Sequence, residues 1–470
     1  MGDWLSVLSR HEEQDRIAIR DGTSDLTYAA CCEMLKELAL SLPLHVDRIG
    51  LMMDQSAQAI LILMTLMDDG IAVLPVDDKQ TRADLMRIER TCPVDLWIIP
   101  DEKWSSLYHD TDDHLHMYSE YLPSPTSPET RREWLKREKP RFGELYLLTS
   151  GSTGQSKAVC HSSLTLQREG NQYRRWFGYH AGDRVLVTVP LNHLYGLSGG
   201  LAAAMLAGAT LIICRHPAPR KVYQMVETER ATLLLAVPVM IQLMNDLRLK
   251  ECGGLYSLRA AICAGGRLEP ETAARFQERF QVRLLQLYGS TETGAIAAES
   301  CHHYHRHPSR YVGALLPQIE ARLAASGRLS IRSPSLCLGY TEGNQMIPCT
   351  EDGWYETDDL AEIRDGQLVL LGRVPNFINV AGRKVYPLEI EEVCRSLPSI
   401  QDARVWGTAD SLHGERIVVE FVATESMSVP ALKQALRAQL ASYKIPHEWI
   451  QVEKIHRGWK HAPAGETDGE

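Results

Sequence analysis

The sequence predicts an α/β protein: a large N-terminal domain of doubly wound β/α subdomains plus a β subdomain, followed by a small α+β C-terminal domain. From residue 16 to residue 298, short apolar runs typical of buried strands alternate with helical patterns. Such alternation is typical of a parallel sheet covered by helices. Between residues 319 and 371 the runs are shorter and alternate as in β-strands. After Gly372 the pattern becomes mixed again, which predicts domains at 1–372 and 373–470.

The spacing of apolar residues predicts the individual elements. Helices are expected at residues 28–42, 57–67, 388–397 and 429–440. Strands are expected at residues 49–53, 71–76, 145–148, 184–189, 210–214, 232–236, 403–408 and 416–424. The polar segment 101–141 contains several Pro, Ser, Asp and Glu residues, so we expect it to be an exposed connection.

The composition is that of an ordinary globular protein and disfavours some function classes. The chain has 470 residues and a formal net charge of −10, which disfavours a general nucleic-acid binder but not a loop that binds an anion. Its eleven cysteines are scattered without a C-x-x-C pair, as in a cytoplasmic protein with reduced thiols. The N-terminus does not resemble a secretory signal, and the longest apolar run, 57–67, is too short to span a bilayer. We therefore expect a cytoplasmic protein without a membrane span.

The first informative segment is a loop after an expected buried strand and reads TSGSTGQSK, from Thr149 to Lys157. Gly151 and Gly154 allow the backbone to approach an anion closely, and backbone N–H groups can cradle phosphate oxygens. Hydroxyl groups and the Lys157 ammonium add further donors. The loop lacks the G-K-[ST] ending of a Walker A motif. These features indicate either a phosphate site or a flexible turn.

Two further segments contain suitable groups for a nucleotide. The run YGSTETG starts at Tyr288, whose ring can stack on a purine, and contains Thr291, which can bond a phosphate. Glu292 in the same run offers the oxygen ligand that Mg²⁺ prefers. The run WYETDDL, at 354–360, ends in carboxylates that can accept bonds from ribose hydroxyls. Taken singly, the first run is more often an ordinary turn than a site, and the second is also compatible with a charged loop end.

Together, in this order, these segments resemble the adenylate-forming superfamily, which comprises acyl- and aryl-CoA synthetases, adenylation domains of peptide synthetases, and firefly luciferase. The family's loop T-S-G-[ST]-T-G-x-P-K-G is TSGSTGQSKA here, its Y-G-x-T-E is YGSTE, and its Y-x-T-G-D-L is YETDDL. Its G-R…I-K-x-x-G-x-x-V-x-P-x-E-I-E segment is GRVPNFINVAGRKVYPLEIE, and its P-L-F-H-x-Y-G is PLNHLYG. The resemblance extends over residues 27–460.

The resemblance implies a role for each matching residue. The ATP phosphates are expected at Thr149, Ser150, Gly151, Ser152, Thr153, Gly154 and Lys157. The adenosine is expected at Gly265, Gly266, Tyr288, Asp359 and Arg373. The acid pocket is expected at His193, Tyr195 and Leu287, and the thiol-channel loop at Gly382. The expected catalytic residues are Thr291, Glu292, which also holds Mg²⁺, and Lys460.

The implied reaction uses ATP and Mg²⁺ to activate a small-molecule carboxylic acid, with pyrophosphate release and transfer to a thiol. Coenzyme A is the favoured acceptor, and the phosphopantetheine arm of an acyl or peptidyl carrier protein is the alternative. A non-catalytic binder of an acid or acyl-adenylate is an alternative of another class, and a luciferase-like oxygenase also occurs on this fold.

Departures from the family pattern motivate the binder alternative. The usual hinge position holds Pro375, which restricts backbone rotation. The family's terminal P-x-T-x-x-G-K segment is shortened, so Lys460 is the nearest match to its lysine and Lys454 is a fallback. Asp358 replaces the glycine before the ribose-binding aspartate, a position where Asp tolerates unusual backbone angles.

Overall fold

The computed structural model of the chain divides into two compact units. One unit holds residues 1–149 and 156–374, and the other holds residues 150–155 and 375–470. The structure describes residues 3–12, 15–41, 46–107, 115–118, 143–150, 156–248, 255–266, 268–300, 311–324, 327–343, 345–373, 378–381, 383–385, 387–397, 399–410, 414–423, 428–452 and 455.

The helices of the first unit form mainly where apolar residues recur at helical spacing. They are α1 (Trp4–Ser9), α2 (Tyr28–Ser41), α3 (Ala57–Asp68), α4 (Arg82–Thr91), α5 (Trp104–Leu107), α6 (Ser163–Trp176), α7 (Ala203–Ala207), α8 (Pro219–Thr228), α9 (Pro238–Asn245) and α10 (Pro270–Phe280). A 3₁₀ turn at Asp101–Lys103 precedes α5, and a π-helical stretch at Gly196–Ala202 precedes α7.

The strands of the first unit cover the short apolar runs. They are β1 (Ile17–Arg20), β2 (Asp25–Thr27), β3 (Arg48–Met53), β4 (Ala72–Asp77), β5 (Leu96–Ile99), β6 (Leu115–Met117), β7 (Glu144–Ser150), β8 (Ser156–Ser162), β9 (Arg184–Val187), β10 (Thr210–Ile213), β11 (Leu233–Ala236), β12 (Ala260–Cys263), β13 (Leu284–Ser290), β14 (Gly294–Ala298), β15 (Tyr311–Leu315), β16 (Glu320–Leu323), β17 (Arg328–Arg332), β18 (Gly339–Glu342), β19 (Gln345–Pro348), β20 (Tyr355–Arg364) and β21 (Gln367–Arg373).

These strands form two large sheets in the described part of the first unit. The thirteen-stranded sheet has the order β16-β17-β20-β21-β15-β14-β13-β12-β11-β9-β10-β1-β2, and the eight-stranded sheet has the order β19-β18-β8-β7-β4-β3-β5-β6. From β13 to β1 the strands of the larger sheet run parallel. Their carboxyl ends therefore lie at one edge, which is where α/β sheets bind ligands.

The predicted α/β class is confirmed, but two details differ from the expectation. The strands between residues 319 and 371 extend the two large sheets. β16, β17, β20 and β21 continue the first sheet, whereas β18 pairs with β8 of the second and β19 pairs with β18. The β/α alternation also ends at β13, before residue 298. Since Thr291–Thr293 alone separate β13 from β14, no crossover helix fits and the two strands pair antiparallel.

The predicted helices and strands are otherwise present with slightly shifted bounds. The predicted ends at residues 42 and 424 lie outside the described residues, as do residues 108–114 and 119–141 of the expected polar connection. The apolar run 57–67 is a buried helix, as its length predicts: every side chain of α3 from Ala59 to Met67 is almost fully buried. Within the described part of the chain, no helix has both the length and the apolarity needed to cross a bilayer.

The second unit has its own small core. Its elements are β22 (Ile378–Val380), β23 (Arg383–Val385), α11 (Pro387–Ser396), β24 (Ile400–Asp410), β25 (Gly414–Ala423), α12 (Val429–Arg437) and β26 (Glu448–Gln451). The sheet order is β23-β22-β25-β24, and β26 pairs with β25. Ile390 of α11 and Leu432 and Leu436 of α12 pack with Phe421 of the sheet, so both helices contribute to one apolar cluster.

Candidate active site

The structure describes part of the predicted site. Thr149 and the backbone of Ser150 end β7, and Lys157 is the second residue of β8. The loop residues Gly151, Ser152, Thr153 and Gly154, together with Gly382, Lys454 and Lys460, lie outside the described residues, so their roles stay predictions.

Tyr340 lies beside Lys157 because of strand pairing between distant parts of the chain. In the β8–β18 pair, Tyr340 is opposite Val159, and the Lys157 ammonium lies 5.2 Å from the centroid of the Tyr340 ring. The Tyr340 hydroxyl is in turn 3.1 Å from the hydroxyl of Tyr355. The two tyrosines therefore form one wall next to the lysine that is expected to contact phosphate.

Glu292 lies on the same wall. Burial, and then the negative charge of Glu292, raise the pKa values of both Tyr340 and Tyr355. The Glu292 backbone carbonyl accepts a hydrogen bond of 2.8 Å from the Cys337 N–H, which fixes the backbone at this point. Glu292 forms no ion pair with another described residue, and its side chain is only half-buried. Its carboxylate is thus a suitable oxygen donor for a divalent cation.

The residues predicted to hold the adenosine meet at the carboxyl ends of β12 and β13. The Tyr288 hydroxyl donates a 2.7 Å hydrogen bond to the Asp359 carboxylate. Asp359 is directly opposite Arg373 in the β20–β21 pair. Gly265 and Gly266 follow β12 and are exposed, and Gly265 has φ +85°, a conformation that strongly favours glycine.

Tyr195 and Leu287, predicted for the acid pocket, are both associated with β12 or its neighbour β13. The Tyr195 hydroxyl donates a 2.8 Å hydrogen bond to the Ile262 carbonyl, and its ring stacks on Tyr173 at 6.4 Å between centroids. Leu287 is buried in β13, the strand next to β12. The phenol of Tyr195 is therefore oriented by the backbone of the sheet, and its stacked ring presents an apolar surface.

His193 is exposed to solvent although many protein atoms surround it. The surrounding protein lowers its pKa, and the charge of Asp77 partly offsets this effect. A small cavity of about 60 Å³ lies at the carboxyl ends of β3, β4, β9 and β10. Its lining residues include Pro190, three positions before His193 in the sequence. This cavity is far smaller than ordinary ligand pockets, and we assign it no role.

The sequence did not identify two buried residues that contact the YGSTETG run. His161, at the end of β8, donates from Nε2 to the carbonyl of Thr291 at 2.6 Å. Burial lowers its pKa to about 4, so the ring is neutral at physiological pH. Glu169 of α6 accepts a hydrogen bond of 2.9 Å from the Ala295 N–H.

The surroundings of Glu169 change the pKa of its carboxyl group. Burial raises its pKa from the ordinary 4.5 to about 7, although hydrogen bonds from Ser335 and the Ala295 N–H oppose the shift. One sequence signal could have identified this residue. Glu169 lies three residues after Leu166 and four before Tyr173, so it interrupts the buried stripe of α6 with an ionisable group.

Comparison with known proteins places these features in context. A family model described as AMP-binding enzyme matches residues 8–341, and one described as AMP-binding enzyme C-terminal domain matches residues 389–457. The chain is 30% identical over 334 residues to an indoleacetate–CoA ligase of Aromatoleum aromaticum, covering 68% of this chain and 65% of that protein. It is 27% identical over 384 residues to a mitochondrial malonate–CoA ligase of Xenopus laevis, covering 71% and 66%. The matches thus span about two thirds of these relatives.

Solved structures share the fold. An amide bond synthetase of Marinactinospora thermotolerans superimposes with a TM-score of 0.81 at 22% identity, covering 100% of this chain and 98% of the other. An o-succinylbenzoate CoA synthetase of Bacillus subtilis gives a TM-score of 0.79 at 19% identity, covering 98% and 96%.

Glu169 provides a test of the buried site through the pH dependence of stability. Because its pKa is about 7 in the folded chain and ordinarily 4.5, the folded state binds more protons between these values. Stability should therefore fall as the pH rises through this window, by about 3 kcal/mol. Glu169→Gln cannot ionise, so its unfolding free energy relative to the wild type should rise by that amount between pH 4.5 and pH 8. Denaturant unfolding across this range measures the difference, and a pH-independent difference would contradict the assignment.

Proposed function

Because this chain belongs to the family of AMP-binding enzymes, we propose that it activates a small carboxylic acid with ATP and transfers the acyl group to a thiol, most simply that of coenzyme A. The observation that carries this proposal is the hydrogen bond between Tyr288 and Asp359, which joins two nucleotide-binding motifs that are distant in the sequence. Lys157 lies beside the Tyr340 ring and the charge of Glu292 acts on the same tyrosine, so the groups proposed for phosphate and metal belong to one unit.

The first half-reaction forms an acyl-adenylate. A carboxylate oxygen of the acid attacks the α-phosphorus of ATP, the bond to the bridging oxygen breaks, and pyrophosphate leaves. The chain's contribution is mainly to hold the reactants and stabilise charge, as in other phosphoryl chemistry. Lys157 and the loop 149–154 bind the phosphates, Thr291 bonds the α-phosphate, and Asp359 with Arg373 holds the ribose. Tyr288 stacks on the adenine beside Gly265 and Gly266.

The residues fit a magnesium ion that is bound together with ATP. No group of three potential metal ligands occurs among the residues that the structure describes. Mg²⁺ is commonly held by one or two carboxylates plus substrate phosphates, and Glu292 is such a carboxylate. Mg²⁺ bound there would offset the negative charge of the phosphate oxygens.

The second half-reaction transfers the acyl group. The thiol sulfur attacks the acyl carbon of the adenylate, and AMP leaves. We propose that the loop at Gly382 admits the thiol and that Lys460 serves only the first half-reaction. Coenzyme A is favoured because the curated relatives described above are named as CoA ligases. A carrier-protein phosphopantetheine presents the same thiol and is the alternative acceptor.

The acid pocket supports an acid with an apolar body. Leu287 is buried and Tyr195 presents a stacked aromatic ring, while the lowered pKa of His193 favours a neutral imidazole. Apolar acids gain most from such surroundings, because burying a second carboxylate there would be costly.

Pyrophosphate release tests this function directly. The full-length protein is mixed with ATP, Mg²⁺ and a panel of aryl, short-chain, long-chain, dicarboxylic and amino acids, first without a thiol and then with coenzyme A or a carrier protein. We expect release with at least one monocarboxylic acid and AMP formation on adding coenzyme A. Binding of an acid without release in any mixture would favour a non-catalytic binder instead.

Glu292→Gln should lower adenylation while preserving the fold, because the amide keeps an oxygen ligand but loses its charge. Loss of an outer-shell partner of a metal typically costs about 10–100-fold, so we expect a loss of at least about tenfold for this direct ligand, with a higher Mg²⁺ concentration needed for half-maximal rate. Glu356→Gln is the matched control, since Glu356 is an exposed carboxylate on β20 that pairs with Arg328. An unchanged Mg²⁺ requirement in Glu292→Gln would contradict the proposed metal ligand.

Lys460→Ala should separate the two half-reactions. Loss of a cation near the reacting phosphate typically costs about 10²–10³-fold in rate, so pyrophosphate release should fall by that factor. Conversion of a supplied acyl-adenylate to the thioester should continue. Lys433→Ala, on α12 of the same unit, is the control. Equal loss in both steps would contradict the split role, and no loss in either would assign the step to Lys454 or to another group.

A further inference from the structure

We infer that His161 and Glu169 are positioning residues that hold the turn carrying Thr291 and Glu292 from behind. We call this pair the buried clamp. The inference rests on the proposed function, since the turn matters for catalysis only if Thr291 and Glu292 bind ATP and its metal. The two residues would act through the turn without touching substrate.

The clamp forms hydrogen bonds with the backbone on both sides of Glu292. On one side, His161 donates to the carbonyl of Thr291 at 2.6 Å. On the other, Glu169 accepts from the N–H of Ala295 at 2.9 Å. Both clamp side chains are nearly inaccessible to solvent, at 0% and 1% exposure, so water cannot replace either hydrogen bond. The backbone on both sides of Glu292 is therefore held by buried protein contacts, in addition to the hydrogen bond from the Cys337 N–H to the Glu292 carbonyl.

Close packing adds to these hydrogen bonds. Gly294 has φ +72°, and a Cβ atom there would lie 2.5 Å from Cδ of Glu169. The backbone of the turn therefore rests directly on the Glu169 carboxyl group, at a distance that only glycine allows. Within the turn, the Ser290 hydroxyl accepts from the Thr293 N–H at 3.2 Å, which closes it locally. Local bonding thus shapes the turn, and the clamp fixes its position.

The clamp also connects the segment that follows the TSGSTGQSK loop with the turn of the YGSTETG run. β8 begins next to the phosphate loop, carries Lys157 near its start and His161 near its end, and leads through Ser162 into α6 with Glu169. One continuous segment therefore contains a phosphate-binding lysine and both clamp residues. The relative positions of Lys157 and Glu292 are consequently set by a short path through rigid elements, as functional sites require.

Four variants and a control test the clamp. Glu169→Met and His161→Met remove the acceptor and the donor, whereas Glu169→Gln and His161→Gln keep an amide oxygen or N–H for the same partner. Asn245→Met is the control, because Asn245 is equally buried and its loss breaks a 2.9 Å hydrogen bond between α9 and the Thr272 carbonyl on α10. Thermal unfolding of all five establishes which remain folded.

Amide hydrogen exchange tests the clamp without relying on activity. In the full chain, peptides spanning residues 290–296 should exchange at least tenfold faster in both Met variants than in the wild type. The Gln variants and Asn245→Met should leave that segment protected. Protection that is unchanged in the Met variants would overturn the clamp, whatever the enzyme's activity proves to be.

Kinetics tests the consequence for catalysis. In pyrophosphate exchange, each Met variant should lose about 10–100-fold in kcat, as outer-shell substitutions at metal sites do, and should need more Mg²⁺. The KM for the acid should stay within about twofold, and the Gln variants should recover most of the rate. The double Met variant should lose less than the product of the single losses, because both residues hold one turn.

The outcomes separate the two proposals. If amide hydrogen exchange in residues 290–296 is faster in the Met variants but the wild type shows no pyrophosphate exchange with any acid, the clamp is supported and the proposed function fails. If the wild type is active and the Met variants lose activity only as Asn245→Met does, without a change in Mg²⁺ requirement, the catalytic role of the clamp is overturned. A Gln variant as impaired as its Met counterpart would also overturn it.

Discussion

The reversal of the chain between β13 and β14 is the constraint on which the proposed site depends. Thr291–Thr293 make this reversal, and at this point the larger sheet changes from parallel to antiparallel pairing. The residues of the reversal are therefore held between two strands of the sheet and cannot move independently of it. Because the reversal lies at the carboxyl ends of the parallel strands, Thr291 and Glu292 are presented where a ligand can approach.

The electrostatics of the site depends on the same arrangement. The whole chain carries a formal charge of −10, yet the described part of the site has a cation, Lys157, and a carboxylate, Glu292, near the same tyrosine ring. Behind them, burial keeps His161 neutral and raises the pKa of Glu169 to about 7, so this carboxyl group is about half-ionised near neutral pH. The buried support of the turn thus carries only a partial negative charge at this pH.

The sequence was most informative where a residue's role is local. The apolar run of α3 predicted a buried helix, and the apolar runs of β3, β4 and β9 to β12 predicted a parallel sheet. Tyr288, Asp359 and Glu292 were found through their motifs. The structure adds that Tyr288 bonds Asp359, a contact between distant strands that no local pattern contains.

Residues whose roles depend on contacts between distant segments of the chain were not predicted from the sequence. Tyr340 reaches Lys157 only because β18 pairs with β8, and β18 looked like part of a separate β subdomain. His161 and Glu169 belong to no motif, and their partners are backbone groups of the turn, so nothing in their own sequence neighbourhood identifies the contact. The early end of the β/α alternation was also missed, because β14 is as apolar as a parallel strand.

The pairing of β8 with β18 has a consequence for biosynthesis. Gly339 pairs with Cys160, so the strand that completes the wall beside Lys157 leaves the ribosome long after the phosphate loop. Contacts between such distant segments form slowly, since a long loop must first be closed. A nascent chain that has been synthesised only as far as β17 already contains the phosphate loop, Tyr288 and Glu292, yet lacks Tyr340 and Asp359. The proposed nucleotide site can therefore be completed only after β20 and β21 have been synthesised, late in the translation of the first unit.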